Sequence, residues 1–125
     1  MAKKSVLPRL NDIFTAIGHI EDAQDGQTFA LFKGEAILQA AIERFVERIS
    51  EASRHIPQDL LDAYPHIPWP DVRAIGNILR HEYQRVAPEV IWKTATTAVP
   101  QLKPVITAMI ATMPVASKPK PKKQT

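Results

Sequence analysis

A proline-marked stretch in the middle of the chain, residues 67–85, constrains the fold more than any other feature. It reads IPWPDVRAIGNILRHEYQR. Proline fixes the backbone angle φ and has no N–H group, which the first helical turn would leave without a partner anyway. Pro68 and Pro70 therefore predict that a helix begins near Trp69 or Pro70. Asp71 then lies in the first turn, where a negative charge interacts favourably with the helix dipole.

The predicted helix has a buried face and a polar face. Val72, Ile75 and Leu79 follow one another at i, i+3 and i+7, which is the spacing of a single apolar face. Asn77 and His81 are i, i+4 neighbours, roughly 40° apart around the axis, and share a face beside the buried one. The helix is therefore expected to pack on one side and to present polar groups on the other.

Gly76 is unexpected in the middle of this helix, because a mid-helix glycine lowers helix stability by roughly 1 kcal/mol relative to alanine. Two reasons for a glycine remain open at this point. Either another backbone approaches closely, or the missing side chain leaves room for a ligand.

The run from residue 64 to residue 104, YPHIPWPDVRAIGNILRHEYQRVAPEVIWKTATTAVPQLKP, resembles the HepT family. These proteins are ribonuclease toxins of the HEPN superfamily that pair with a minimal nucleotidyltransferase antitoxin. The likeness extends from about Arg9 to Met109, and its most specific part is IPW followed by N-x-x-x-H-x-Y. The resemblance implies an all-α, up-and-down bundle of four to five helices of the HEPN type, assembled as a homodimer.

The catalytic pattern of the family is an arginine, four residues, a histidine, one residue and a tyrosine. The resemblance places this histidine at His81 and this tyrosine at Tyr83, and it also matches a polar residue at Asn77. The arginine position, however, holds Gly76. The histidine, the tyrosine and the asparagine therefore carry over from the family, whereas the catalytic arginine does not.

Two arginines are candidates to replace the missing cation. Arg80 adjoins His81, whereas Arg73 lies two turns back, roughly 12 Å along the helix, and would act through a long reach or across a dimer interface. The resemblance implies metal-independent cleavage of RNA, with each protomer lending a histidine and an arginine. Such a reaction needs a base, an acid and a cation beside the phosphorane, and histidine titrates near neutral pH.

The resemblance also implies a partner and a modification. In the family, the tyrosine that matches Tyr83 receives adenylyl groups from the antitoxin, which would place bulk and negative charge where an RNA phosphate binds. On a regular helix His81 and Tyr83 would lie roughly 200° apart, so both line one pocket only if the helix loosens near Glu82.

The alternative function is a catalytically impaired family member that binds a nucleotidyltransferase. Spacing alone favours a structural role for His81, near the negative end of the helix dipole.

Composition limits the remaining function classes. The 125 residues suit one domain, predicted over residues 5–113, and the absence of cysteine excludes disulfides and cysteine chemistry. A chain without a long apolar run or a signal-peptide pattern is expected in the cytoplasm, away from membranes.

The net charge is +3, but four lysines lie in the tail, and subtracting them leaves about −1 for the body. We therefore predict a disordered basic tail over residues 114–125.

Helical periodicity extends to both sides of the central helix. The apolar pattern predicts a first helix over about 7–24, a single long helix over about 28–54, one or two turns after Pro57, and a helix from Pro88 that breaks at Pro100 before a last segment over 101–113. The long helix carries more apolar surface than one neighbouring helix can cover, which suggests a dimer interface. The side chains that provide this additional surface are Phe29, Phe32, Ile37 and Val46.

The remaining histidines do not predict a metal site. His55 and His66 are eleven residues apart, which is not a spacing typical of zinc ligands. His19 lies among polar neighbours and is expected at the surface. We therefore predict no metal and no cofactor.

Overall fold

The computed structural model describes residues 5–82 and 87–113, without the side chain of Glu82. The regular secondary structure of these residues is helical, which confirms the predicted all-α class. The predicted basic tail, residues 114–125, and Tyr83 lie outside the described residues. The helices are α1 (Leu7–Gln24), α2 (Phe29–Phe32), α3 (Ala36–Ser53), α4 (Gln58–Asp62), α5 (Trp69–Glu82), α6 (Pro88–Lys93) and α7 (Val99–Ala111), with a π-helical segment, Thr94–Ala98, between the last two.

Helix α3 lies at the centre of the bundle and packs against both α1 and α5. Helix α7 packs against α1, and α6 contacts α2 and α3. The core consists mainly of branched aliphatic side chains, which the helical periodicity places on facing stripes. Its fully buried members include Leu10, Ile13, Ile17, Ile20, Ile42, Leu61, Leu79, Ile106 and Met109. Four long helical segments, namely α1, α3, α5 and the α6–α7 rod, thus form the predicted bundle.

The long helix predicted over residues 28–54 is in fact two helices. Thr28 caps α2, since its Oγ1 accepts from the backbone N–H of Leu31 at 3.2 Å, and Gly34 then lies in the turn before α3. Phe32 packs against Trp92 with ring centroids 5.1 Å apart, and Val46 is buried in the core. Phe32 and Val46 are therefore covered within one chain, whereas Phe29 is only partly buried and Ile37 is 86% exposed.

Trp69 fixes the beginning of α5, as the proline-marked stretch predicts. Its indole Nε1 donates to the backbone oxygens of Leu61 and Tyr64, both at 3.1 Å, and its side chain is buried. A buried indole needs such a partner, because an unsatisfied N–H in the core is costly. These two hydrogen bonds tie the end of α4 and the loop after it to the first turn of α5.

The break predicted at Pro100 does not occur. The chain instead widens into the π-helical segment before the proline and continues into α7, with Pro100 in its first turn and Pro104 inside it. A widened turn relieves the clash that a proline ring makes with the carbonyl four residues earlier. The hydroxyls of Thr94 and Thr96 donate to the carbonyls of Val90 and Trp92, both at 2.8 Å. The last two predicted segments therefore form one continuous rod.

None of the helices within residues 5–82 and 87–113 has the length and apolarity that crossing a membrane requires.

Candidate functional site

The outer face of α5 carries the polar pair that the sequence predicts. Asn77 and His81 are both exposed, one helical turn apart, while Leu79 on the opposite side is buried. Two apolar side chains lie on the same exposed face, Ala74 and Ile78, and Ile78 is 42% exposed. The imidazole of His81 is therefore accessible to a ligand and lies beside a small apolar patch.

Gly76 is explained by a close contact with α3. Its backbone N–H donates to the Oγ of Ser50 at 3.0 Å, and this hydroxyl donates to the backbone oxygen of Arg73 at 2.9 Å. A Cβ atom on Gly76 would lie 2.6 Å from Ser50 Oγ and 2.7 Å from Ser50 Cβ. Of the two open reasons for a glycine, close approach is the one found, although a side chain makes it. An arginine does not fit at this position while Ser50 stays in place.

Ser50 is a structural determinant of the site that the sequence reasoning missed. It is 1% exposed, and Ser53 one turn later is fully buried and donates to the carbonyl of Ser50 at 2.7 Å. Serines on the apolar face of a helix are unusual unless a partner satisfies their hydroxyls. Small polar residues at 50 and 53, interrupting the apolar pattern of α3, were the signal that could have revealed the close helix contact.

Arg73 lies in a shallow cleft of about 590 Å³ between α3 and α5, called here the Arg73 cleft. Among the described residues, its lining contains two arginines and no carboxylate: Arg54, Pro70, Arg73, Ala74, Asn77 and Ile78. Arg54 donates from Nη1 to the backbone oxygen of Arg73 at 3.4 Å. The Nε of Arg73 is buried and has no hydrogen-bond partner among the described residues. The cleft is thus cationic.

Arg80 lies in a different cleft, of about 560 Å³, between α1, α3 and α5, called here the Arg80 cleft. Its lining contains four arginines and three carboxylates, namely Arg9, Asp12, Arg44, Glu47, Arg48, Glu51 and Arg80. Arg44 and Glu47 form an ion pair there at 3.5 Å. Burial, and then the charge of nearby Glu47, raises the pKa of Glu43 on the same helix. The two candidate replacements for the missing arginine therefore lie in separate and electrostatically different surroundings.

The three other histidines have structural neighbours of their own. His19 stacks on Phe45 with ring centroids 5.0 Å apart. The Nε2 of His55 lies 3.4 Å from a carboxylate oxygen of Glu51, and the ring of His66 lies edge-on to Tyr64 at 6.4 Å. Only His81 combines an exposed imidazole with the polar face of α5.

Comparisons with known proteins agree with this architecture. A family model described as Ribonuclease HepT-like matches residues 13–109. The protein named "Probable ribonuclease HepT" from Thermococcus cleftensis is 37% identical over 101 residues, which cover 81% of this chain and 92% of that protein. "Putative RNase MJ0127" from Methanocaldococcus jannaschii is 33% identical over 100 residues, which cover 80% and 83%. The search of solved structures gave no significant match.

The similarity thus spans most of the chain and includes α5 with its exposed histidine. It also covers 83% and 92% of these two relatives. The chain therefore belongs to the HepT-like ribonuclease family of the HEPN superfamily.

Proposed function

We propose that the protein is a metal-independent endoribonuclease whose active site forms where the α5 helices of two protomers face each other. The observation that carries this proposal is the exposed imidazole of His81 on the outer face of α5, in a chain that belongs to a ribonuclease family. The exposed Ala74 and Ile78 beside it support a twofold contact, because exposed apolar groups next to a polar site are typical of interfaces.

Two copies of His81 would divide the acid–base work. One imidazole takes the proton of the RNA 2′-hydroxyl as the 2′-oxygen attacks phosphorus. The other, as imidazolium, gives a proton to the 5′-oxygen as the P–O5′ bond breaks. The products are a 2′,3′-cyclic phosphate and a 5′-hydroxyl. A single histidine does not easily perform both transfers in one step, and this is the chemical reason for proposing a dimeric site.

The cation beside the phosphorane has to come from a position other than Gly76, where Ser50 leaves no room for a side chain. Arg80 and Arg73 are the candidates, and Asn77 would orient a phosphate or ribose oxygen through its amide. Arg80 is exposed and adjoins His81, whereas Arg73 lies two turns away. A guanidinium is suited to this role because it remains charged and offers paired donors to phosphate oxygens.

We further propose that the protein is the toxin of a cytoplasmic toxin–antitoxin pair, and that a nucleotidyltransferase silences it by adenylylating Tyr83. Adenylyl groups near His81 would repel the RNA backbone. Incubation of the protein with the nucleotidyltransferase and ATP should increase its mass by whole adenylyl units and remove RNA cleavage. The Tyr83→Phe variant should keep both its mass and its activity. A mass increase that persists in Tyr83→Phe would show that another residue is modified.

Cleavage of RNA by the purified protein, with and without EDTA, tests the main proposal. We expect His81→Ala to lower the rate by on the order of a hundredfold or more, because acid–base catalysis commonly contributes that much. His66→Ala, which removes another exposed histidine, should leave the rate unchanged and serves as the matched control. Cleavage that disappears with EDTA would contradict the metal-independent mechanism.

A second candidate is a dimer that binds a nucleotidyltransferase but no longer cleaves RNA. The contact between Gly76 and Ser50 favours it, since the arginine of the family motif is absent and has no space. The assay separates the two candidates. If neither the wild-type protein nor His81→Ala cleaves RNA while the wild-type protein still binds the nucleotidyltransferase, the binding function is the correct one.

A further inference from the structure

We propose that Arg54 and Arg73 bind an RNA phosphate at a subsite of their own, separate from the phosphate that is attacked beside His81. The inference rests on the proposed ribonuclease function and adds to it Arg54, the residue that follows α3 and lies outside the family motif. It also assigns Arg73 to substrate binding and leaves Arg80 as the cation next to the reacting phosphate.

The position of the subsite follows from the helix geometry. Arg73, Asn77 and His81 occupy i, i+4 and i+8 of α5, so they form a continuous stripe that drifts only roughly 40° per step around the helix. The stripe is roughly 12 Å long, which exceeds the spacing of consecutive phosphates in one strand. A strand whose scissile phosphate lies at His81 would therefore place a more distant phosphate at Arg73.

The charge of the Arg73 cleft favours an anion. Its six lining residues include two arginines and no carboxylate. Arg73 is half-buried, and its Nε has no hydrogen-bond partner within residues 5–82 and 87–113. A partly desolvated cation without a counter-charge is unfavourable, and a phosphate in the cleft would offset that cost. The Arg80 cleft, in contrast, already contains three carboxylates: Asp12, Glu47 and Glu51.

Arg54 is placed to form one side of the subsite. Its Nη1 donates to the backbone oxygen of Arg73 at 3.4 Å, while the residue as a whole is exposed. A guanidinium has five N–H donors, so this contact leaves donors for phosphate oxygens. Since Arg54 directly follows α3 and Arg73 lies on α5, the two charges approach the cleft from different sides. The expected substrate is single-stranded RNA that extends beyond the cleaved step.

The test compares Arg54→Gln with Arg44→Gln, which removes the same charge from an exposed arginine of the other cleft. Binding of a 2′-O-methyl oligonucleotide, which cannot be cleaved, is followed by fluorescence anisotropy at several salt concentrations. We expect Arg54→Gln to weaken binding roughly fivefold and to lower the salt slope by about one. Arg44→Gln should change the affinity by less than about twofold, because Glu47 already pairs with Arg44.

Cleavage kinetics add a readout that a purely structural role would not produce. For a long RNA, Arg54→Gln should raise KM with kcat unchanged, because the subsite binds the ground state and the transition state equally. For a dinucleotide, which does not reach the subsite, the variant should behave as the wild-type protein. Arg73→Lys, which keeps the charge at a half-buried position, should lie between wild type and Arg54→Gln in affinity.

The outcomes separate the inference from the proposed function. Equal affinities of Arg54→Gln and Arg44→Gln, or a loss that is the same for dinucleotide and long RNA, would overturn the subsite while leaving the ribonuclease proposal intact. A wild-type protein that binds the oligonucleotide but does not cleave RNA would overturn the ribonuclease proposal, and the affinities would still decide the subsite. Failure of the wild-type protein to bind the oligonucleotide would overturn the subsite, and the cleavage assay would still decide the ribonuclease proposal.

Discussion

The Arg73 cleft and the Arg80 cleft lie along the same pair of helices, yet they differ in the charge that they offer to RNA. Arginines line both clefts, but among the described residues carboxylates line only the Arg80 cleft. Arginine content alone therefore does not identify a phosphate site. The Arg80 cleft has four arginines against three carboxylates, so most of its positive charge is compensated, whereas the two arginines of the Arg73 cleft have no carboxylate beside them in the described lining.

The contact between Ser50 and Gly76 separates the two clefts. Along α3, Arg54 follows Ser50 and Glu47 precedes it, and along α5 Arg73 precedes Gly76 and Arg80 follows it. The two helices thus run antiparallel and touch at the serine and the glycine, with one cleft on each side of the contact. This crossing point determines which arginine belongs to which cleft.

The largest effect is expected for Arg80→Gln, which tests whether the Arg80 cleft contributes to the chemical step. If Arg80 is the cation beside the phosphorane, kcat should fall by on the order of a hundredfold, with KM changed little. Single-turnover cleavage of a long RNA measures this. A variant with a raised KM and an unchanged kcat would instead place Arg80 in substrate binding, and the distinction between the clefts would fail.

The next effect concerns the contact between the clefts. Gly76→Ala should lower the free energy of unfolding by about 2 kcal/mol, because overpacking against Ser50 exceeds the gain of roughly 1 kcal/mol in helix propensity. Gly18→Ala is the matched control, since a Cβ there would meet no atom within 4 Å and should stabilise the protein. Urea denaturation measures both variants.

Removal of the opposing side chain should relieve this overpacking, at the cost of the hydroxyl that bonds to Gly76 and Arg73. In the double variant Ser50→Gly with Gly76→Ala, the space for the new Cβ is restored, and the two changes should show a favourable coupling in a double-mutant cycle. Purely additive effects of the two substitutions would contradict the steric account of Gly76.

A smaller effect is expected when a carboxylate is placed in the Arg73 cleft. Asn77→Asp is nearly isosteric and would give this cleft the mixed charge of its neighbour, so the affinity for the uncleavable oligonucleotide should fall about tenfold. The loss should shrink as the salt concentration rises. An affinity equal to that of the wild-type protein would show that the Arg73 cleft does not contact RNA.

The smallest effect concerns Glu43, which lies on α3 and feels the charge of Glu47. Burial and then Glu47 raise its pKa above the usual value of 4.5, so the folded state holds this proton more tightly than the unfolded state does. The charged form therefore destabilises the fold at neutral pH, and protonation relieves this as pH falls through the raised pKa. Glu43→Gln should add a few tenths of a kcal/mol at pH 7 and less at pH 5, measured by urea denaturation. A larger gain at pH 5 would contradict the raised pKa.

The sequence predicts the parts of the fold that depend on local patterns. Apolar spacing gives α1 with its bounds, and the prolines beside Trp69 give the beginning of α5. The exposed pair Asn77 and His81 follows from the same periodicity. These features are predictable because each depends on residues within a few helical turns.

The remaining features depend on residues that are far apart in the chain. The contact of Ser50 with Gly76 joins positions 26 residues apart, and the hydrogen bond from Arg54 to Arg73 joins positions 19 apart. No periodicity within one helix reveals such pairs. The π-helical segment before Pro100 is a different case, because it relieves a local clash by widening the helix instead of ending it.

Between the α3 and α5 axes at this contact there is room for one side chain only. The side chain of Ser50 fills this space, and Gly76 contributes no more than a hydrogen atom. Any chain of this architecture that carries an arginine at position 76 must either shorten residue 50 to glycine or hold the two axes farther apart. Across the family, residue 50 and the distance between the α3 and α5 axes should therefore vary together with residue 76. The separation of these two helices would then indicate whether position 76 supplies the cation.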